Sequence, residues 1–135
     1  MCQFISFYHN PATGEVRVHD LNSHAETEQR LKLDLKVWRE GHYLPGGKID
    51  ARVAPEDHVT SEQCAERIRG RWLRFAEFFN WCIVETNQTK LFGGGLDLRG
   101  CDLKGVKLPE KIGGGLNLRG CKNVPDKLPT KNVIK

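Results

Sequence analysis

The sequence predicts a small α+β protein whose last third is built from a repeat. Three observations predict this fold class. Alternating apolar residues separated by turn residues indicate two β-hairpins, apolar residues three and four positions apart indicate one long helix, and a nine-residue segment recurs after 20 residues. We therefore expect an α+β domain over residues 1–90 and a basic β-solenoid tail of about two 20-residue coils over residues 91–135, capped by the long helix.

The hairpins are predicted from β-forming stretches on either side of turn residues. The first has a strand rich in aromatic and β-branched residues over 2–8, turn residues over 10–14 and an alternating strand over 15–19. The second runs from about residue 41 to 53 and turns at 45–47. Between them, Ser23 and Glu26 have the spacing of a capping box, which predicts a short helix reaching about Leu33.

The long helix is predicted over residues 60–85. Thr60 and Gln63 form a second capping-box pair at its start. One apolar stripe then follows at helical spacing and is expected to face the core: Cys64, Ile68, Trp72, Phe75, Phe79 and Cys82. Further apolar residues near its end are expected to close the open end of the repeat: Phe78, Trp81 and Ile83.

The repeat joins residues 93–101 to residues 113–121. Eight of the nine positions are identical, and the ninth is Asp97 in the first copy and Asn117 in the second. A finer period of five lies inside the repeat, with leucine at 98, 103, 108, 118 and 128. Two inward side chains in every five residues, and four such units to a turn, predict one solenoid coil per 20 residues.

The units 96–100, 101–105 and 116–120 resemble the pentapeptide-repeat family, whereas 111–115 and 121–125 depart from its pattern. The Leu-Pro and Gly-Gly-Gly-Leu elements are also similar to short repeats of small phage-encoded proteins. The resemblance covers about a third of the chain. It implies a β-solenoid tail and a phage- or prophage-type protein that engages a host factor, as in anti-defence. The basic tail has the wrong sign for the DNA mimicry seen in some pentapeptide-repeat proteins.

Charge is unevenly distributed along the chain. Residues 1–90 carry 12 Lys and Arg against 13 Asp and Glu, whereas residues 91–135 carry 9 against 4, a balance of +5. A basic tail suits an acidic protein surface or nucleic acid, and it would equally serve to keep the repeat soluble. The five cysteines are dispersed without a CxxC pair, and the N-terminus does not resemble a signal peptide. These features predict reduced thiols, a cytoplasmic location, no membrane contact, and neither metal nor cofactor.

Basic and aromatic residues are the candidate partner-binding residues. They comprise Arg67, Arg71 and Arg74 on the helix, Arg99, Lys104, Arg119 and Lys122 on the tail, and Trp38 and Tyr43 in an amphipathic cluster over residues 38–43. Structural roles compete with this interpretation. The helix arginines could pair with Glu62, Glu66 or Glu77, while Trp38 and Tyr43 could close a hydrophobic core.

Catalysis has weaker support in the sequence. Cys2 would become an N-terminal nucleophile if Met1 were removed, and His24 and His42 could act in acid–base chemistry or bind a metal. Their spacing matches no catalytic or metal-binding pattern. The sequence thus favours a non-enzymatic protein that binds, and by binding could inhibit, a host macromolecule, first of all a host protein. The alternatives are a nucleic-acid-binding protein and a small enzyme using Cys2 or the region of His24 and His42.

Overall fold

A four-stranded antiparallel sheet forms the N-terminal part of the protein. The computed structural model describes residues 5–18, 32, 34–44 and 46–135. The strands are β1 (Ile5–His9), β2 (Val16–Arg17), β3 (Arg39–Tyr43) and β4 (Ile49–Ala51), in the order β2-β1-β3-β4. Both predicted hairpins, β1–β2 and β3–β4, are confirmed. The short helix expected after Ser23 lies outside the described residues.

Turn chemistry sets the first hairpin. The Asn10 carbonyl accepts the Gly14 amide at 2.7 Å, and the Asn10 side chain accepts the Ala12 amide at 3.0 Å. Gly14 has a φ of 78°, which a side-chain-bearing residue rarely adopts. These local contacts return the chain to pair with β1.

Two helices replace the single helix predicted over 60–85, and that prediction is wrong. After a 3₁₀ turn (Pro55–Asp57), α1 covers Ser61–Arg71 and α2 covers Phe75–Glu85. The capping box is confirmed, because Thr60 Oγ1 accepts the Gln63 amide at 3.0 Å and Gln63 Oε1 accepts the Thr60 amide at 2.9 Å. Trp72 ends α1 in an extended conformation, with φ −132° and ψ 92°.

One long-range and one local hydrogen bond stabilise the break between the helices. The Tyr43 hydroxyl donates to the Trp72 carbonyl at 2.7 Å, and the Glu77 carboxylate accepts the Leu73 amide at 2.7 Å. Both partners satisfy backbone groups that lack an intrahelical partner at a helix end. The predicted apolar stripe is nevertheless buried, because both helices turn it toward the core.

Phe78 lies at the centre of an aromatic cluster between the sheet and the helices. Its ring stacks on Tyr43 with centroids 5.0 Å apart, and it meets Phe7 and Trp72 edge to face at 5.7 and 5.1 Å. Phe78, Tyr43 and Phe7 are all buried to within 1% of complete. The packing of these rings orients α2 against β1 and β3.

The tail contains five strands of two residues each: β5 (Leu91–Phe92), β6 (Leu96–Asp97), β7 (Lys111–Ile112), β8 (Leu116–Asn117) and β9 (Val133–Ile134). β5 pairs in parallel with β7, and β6, β8 and β9 form a second parallel sheet. Leu91 lies beside Lys111 and Leu96 beside Leu116, so the two copies of the repeat pair with an offset of 20 residues.

The prediction of a capped β-solenoid is wrong. The described tail forms two separate open sheets of two and three strands, and its sheets do not close. The last offset is 17 residues, because Val133 pairs with Leu116, whereas the five-residue period places it in the phase of Leu118. Pro109, Pro125 and Pro129 lack the amide hydrogen that a continued ladder requires.

The tail packs on α2 through one polar side chain and a shared core. Asn80 Nδ2 donates to the Gly105 carbonyl at 2.7 Å, and Asn80 Oδ1 accepts the Lys107 amide at 2.8 Å. Buried leucines of β6 and β8 join the buried residues of the sheet and helices in one cluster. The division of the chain at residue 90 stays a prediction.

The glycines of the second repeat are required by close backbone packing. A Cβ atom on Gly113 would lie 2.6 Å from the Gly93 carbonyl oxygen. A Cβ atom on the equivalent Gly93 would have no heavy atom within 4 Å, and the φ of this residue is not positive. Two identical residues of the repeat therefore have different steric demands.

We predict that Gly113→Ala lowers the free energy of unfolding by about 1–3 kcal/mol, because backbone must move to admit the methyl group. Gly93→Ala is the matched control and should change it by less than about 0.5 kcal/mol. Urea unfolding of both variants measures the difference. Equal effects would contradict the paired arrangement of the two repeats.

We also predict that Tyr43→Phe lowers the free energy of unfolding by about 1–3 kcal/mol, because it leaves the Trp72 carbonyl without its buried partner. The ring packing on Phe78 is retained in this variant. Thermal unfolding followed by near-ultraviolet circular dichroism provides the measurement. An unchanged midpoint would show that this hydrogen bond does not stabilise the helix break.

Candidate functional site

The helix arginines do not form one exposed binding stripe. Arg67 Nη1 donates to the Pro11 carbonyl at 2.9 Å, and Arg71 Nη1 donates to the Gly14 carbonyl at 3.1 Å. Both side chains thus hold the β1–β2 turn against α1. Arg74 precedes α2 and is exposed. Of the three predicted residues, Arg74 alone has a side chain without a hydrogen bond or ion pair to the described residues.

The two aromatic candidates, Trp38 and Tyr43, also have structural roles. Tyr43 is fully buried, so the prediction that it contacts a partner is corrected: its ring and hydroxyl both serve the core. Trp38 is half-buried, and the Arg17 guanidinium lies 4.6 Å from its ring centroid. Trp38 therefore holds a cation of its own chain.

The four tail candidates lie close together. We name Arg99, Lys104, Arg119 and Lys122 the basic face; all four are exposed. The Gly100 amide donates to the Arg119 carbonyl at 2.8 Å, so the two arginine-glycine turns are neighbours. Lys122 forms a parallel bridge with Asp102.

The same side-chain turn recurs across the basic face. Asp97 Oδ1 accepts the Arg99 amide at 3.2 Å, and Asn117 Oδ1 accepts the Arg119 amide at 3.2 Å. Aspartate and asparagine are therefore interchangeable for the shape of the turn. They differ in charge, and asparagine has an Nδ2 donor where aspartate has a second carboxylate oxygen.

That difference decides the electrostatic state of the two arginines. Arg99 is neutralised by Asp97, with Nε 3.0 Å from Oδ1 and Nη2 3.0 Å from Oδ2. Arg119 has the uncharged Asn117 at the position equivalent to Asp97, and across the described residues its guanidinium has no ion pair or hydrogen bond. The difference between Asp97 and Asn117 at equivalent positions of the repeat can be read from the sequence. Its effect on Arg99 and Arg119 cannot.

Asp102 partly balances the lysines. Its hydrogen bond from Asn123 Nδ2 at 2.7 Å is the main cause that lowers the pKa of this carboxyl, followed by the Lys104 amide and the charges of Lys122 and Lys104. Arg119 is therefore the least compensated cation of the basic face.

Of the three residues proposed for catalysis, the structure describes His42. Cys2 and His24 lie outside the described residues. His42 is half-buried in β3, between Ser6 of β1 and Asp50 of β4. Among the described residues, the buried Ser6 hydroxyl has no hydrogen-bond partner.

His9 is a buried histidine that no sequence pattern singled out. Its Nε2 lies 2.8 Å from the Arg52 carbonyl oxygen, and burial is the main cause that lowers its pKa. The ring also meets Phe7 edge to face at 5.9 Å. His9 therefore ties the end of β1 to the segment after β4.

The cysteines of the repeat are unpaired. Cys101 is buried and Cys121 is half-buried. Burial, with smaller effects from Cys121 and Asp102, raises the pKa of the Cys101 thiol to about 12. Cys121 Sγ donates to the Leu98 carbonyl at 2.9 Å.

Within the described ranges, no group of three or more His, Cys, Asp and Glu residues is arranged to hold a metal ion. None of the helices found there is long and apolar enough to cross a membrane. No protein-family model matches the chain, and it has no match among the curated proteins or the solved structures.

We predict that Cys101 resists alkylation at pH 8 in the folded protein. A pKa near 12 in place of 9 lowers its thiolate fraction about a thousandfold. Mass spectrometry after iodoacetamide treatment, with the urea-unfolded protein as control, measures the rate. Equal rates in the folded and unfolded protein would contradict the burial of this thiol.

Proposed function

We propose that this is a non-enzymatic interaction protein that binds an acidic protein surface through its basic face. The tail resembles repeats of phage-encoded proteins. We therefore propose that the chain is a phage- or prophage-type protein, and that its partner is a protein of the host, which is inhibited when the chain binds it. The observation that carries the proposal is Arg119: an exposed guanidinium, without a counter-ion in the described structure, on a turn held by hydrogen bonds.

The arrangement suits protein recognition for two reasons. A guanidinium on an ordered turn loses little conformational freedom on binding, and it can form paired hydrogen bonds with a carboxylate. Two carboxylates, Asp97 and Asp102, lie beside the residues of the basic face, so charges of both signs alternate there. Alternating charges specify a complementary protein surface, whereas a uniform phosphate backbone would be repelled by the two carboxylates.

Arg67, Arg71 and Tyr43 are not part of this proposal, because their side chains hold the fold together. Arg74 stays in it as an exposed cation of the helix. Trp38 is not part of the basic face, because it precedes β3 and its ring is covered by Arg17.

The test supplies Arg119 with the counter-ion that Arg99 already has. Asn117→Asp keeps the side-chain turn and introduces a carboxylate in the position of Asp97. We expect it to reduce partner recovery from a bacterial host lysate at least about threefold, and Arg119→Glu to reduce it further. Asn87→Asp is the matched control, because it makes the same chemical change at an exposed position after α2. Recovery unaffected by both tail variants would contradict the proposal.

A second measurement separates protein recognition from nucleic-acid binding. The measurement is the fluorescence anisotropy of a labelled DNA duplex at about 50 and 200 mM salt. We expect Asn117→Asp to leave any binding of this duplex unchanged. Binding that falls about tenfold or more between these salt concentrations would instead indicate contacts with several phosphates. That result would replace the protein partner with nucleic acid.

A further inference from the structure

A cavity of about 290 Å³ lies between β2 and α2, and no residue of the basic face lines it. It is lined by Glu15, Val16, Arg17, Val18, Trp81 and Glu85. Its volume lies just below the range for small-ligand sites, roughly 300–1,000 Å³. A space of this size suits one side chain better than a larger ligand.

Trp81 supplies an ordered aromatic wall. Its ring is half-buried and packs against Trp72, with centroids 4.6 Å apart, and against Phe78 at 5.9 Å. The aromatic cluster therefore holds the indole in place before any ligand enters. A pre-ordered aromatic ring binds a cation at little entropic cost.

Among the described residues, one carboxylate of the cavity lining has no paired cation. Glu15 is paired with Arg17 at 2.8 Å, and the Arg17 guanidinium also lies over Trp38. Glu85 is exposed, and over the described part of the chain its carboxylate forms neither an ion pair nor a hydrogen bond. With two carboxylates and one guanidinium, the formal charge of the lining is −1.

We propose that this cavity binds an arginine side chain of a partner protein, with the guanidinium on Trp81 and paired with Glu85. An indole face and a nearby carboxylate are the two groups that recognise a planar guanidinium, by stacking and by paired hydrogen bonds. An ammonium group is not planar, so it cannot stack on the indole and form paired hydrogen bonds with the carboxylate at the same time. The apolar Val16 and Val18 suit the methylene groups of the same side chain.

This proposal does not depend on the basic face. The cavity is formed by other elements and has the opposite charge. A negative result for one of the two proposals therefore does not contradict the other. A partner that engaged both would present a carboxylate to Arg119 and an arginine to Glu85.

The probe is the tripeptide acetyl-Gly-Arg-Gly-amide, titrated into the isotopically labelled 135-residue chain. We expect the indole N–H resonance of Trp81 to shift more than those of Trp38 and Trp72, with saturation in the millimolar range. The same peptide with citrulline in place of arginine keeps the shape and removes the charge. Equal shifts with the citrulline peptide, or none at Trp81 with arginine, would overturn the proposal.

Two variants assign the binding to the cavity. Glu85→Gln should lower the affinity for the arginine peptide about fivefold, because it removes the unpaired carboxylate at an exposed helix position. Glu110→Gln is the control with the same loss of charge in the tail and should bind as the wild type does. Unchanged affinity in folded Glu85→Gln contradicts the assignment.

Spermidine, which carries ammonium groups only, should bind more weakly than the arginine peptide. Equal or tighter binding would indicate that the cavity binds a polyamine and not an arginine side chain.

Discussion

The packing of Phe78 against Tyr43 is the contact on which the rest of the structure depends. The stacked pair joins β3 to α2, and the Tyr43 hydroxyl holds the carbonyl at which α1 ends. α2 in turn positions Asn80, which binds two backbone groups of the tail. A single buried ring pair thereby determines where the helices separate and how the repeat is held. The hydrophobic contribution of such rings exceeds that of the individual hydrogen bonds around them.

Local chemistry could be predicted from the sequence, whereas long-range chemistry could not. Thr60 and Gln63 form the predicted capping box because both partners lie within one helical turn. The break at Trp72 depends on Tyr43, which lies 29 residues earlier in the chain. Helical periodicity could not reveal it, since residues on both sides of the break continue one buried stripe. The solenoid prediction failed for a related reason: a 20-residue period predicts pairing between the two copies but not closure of the sheets.

The candidate site shows the same limit. Arg67 and Arg71 look like recognition residues in the sequence, but their acceptors are backbone carbonyls of a turn more than fifty residues away. Backbone acceptors have no residue signature, so composition cannot distinguish a structural arginine from a binding arginine. Asn117 is the opposite case. Its difference from Asp97 is visible in the sequence, and the geometry of the turn explains why it alters charge without altering shape.

The order of the tail strands has a consequence for synthesis on the ribosome. β6 precedes β8 and β8 precedes β9, and each later strand pairs beside the one made before it. The sheet, α1 and α2 are complete in the chain before the first tail strand emerges, so Asn80 is already present when Gly105 and Lys107 arrive. We therefore expect the tail to assemble in the direction of translation, each segment adding to a finished edge. A nascent chain stopped after the first repeat would keep an unpaired strand edge, which is the surface that chaperones and other unfolded chains contact.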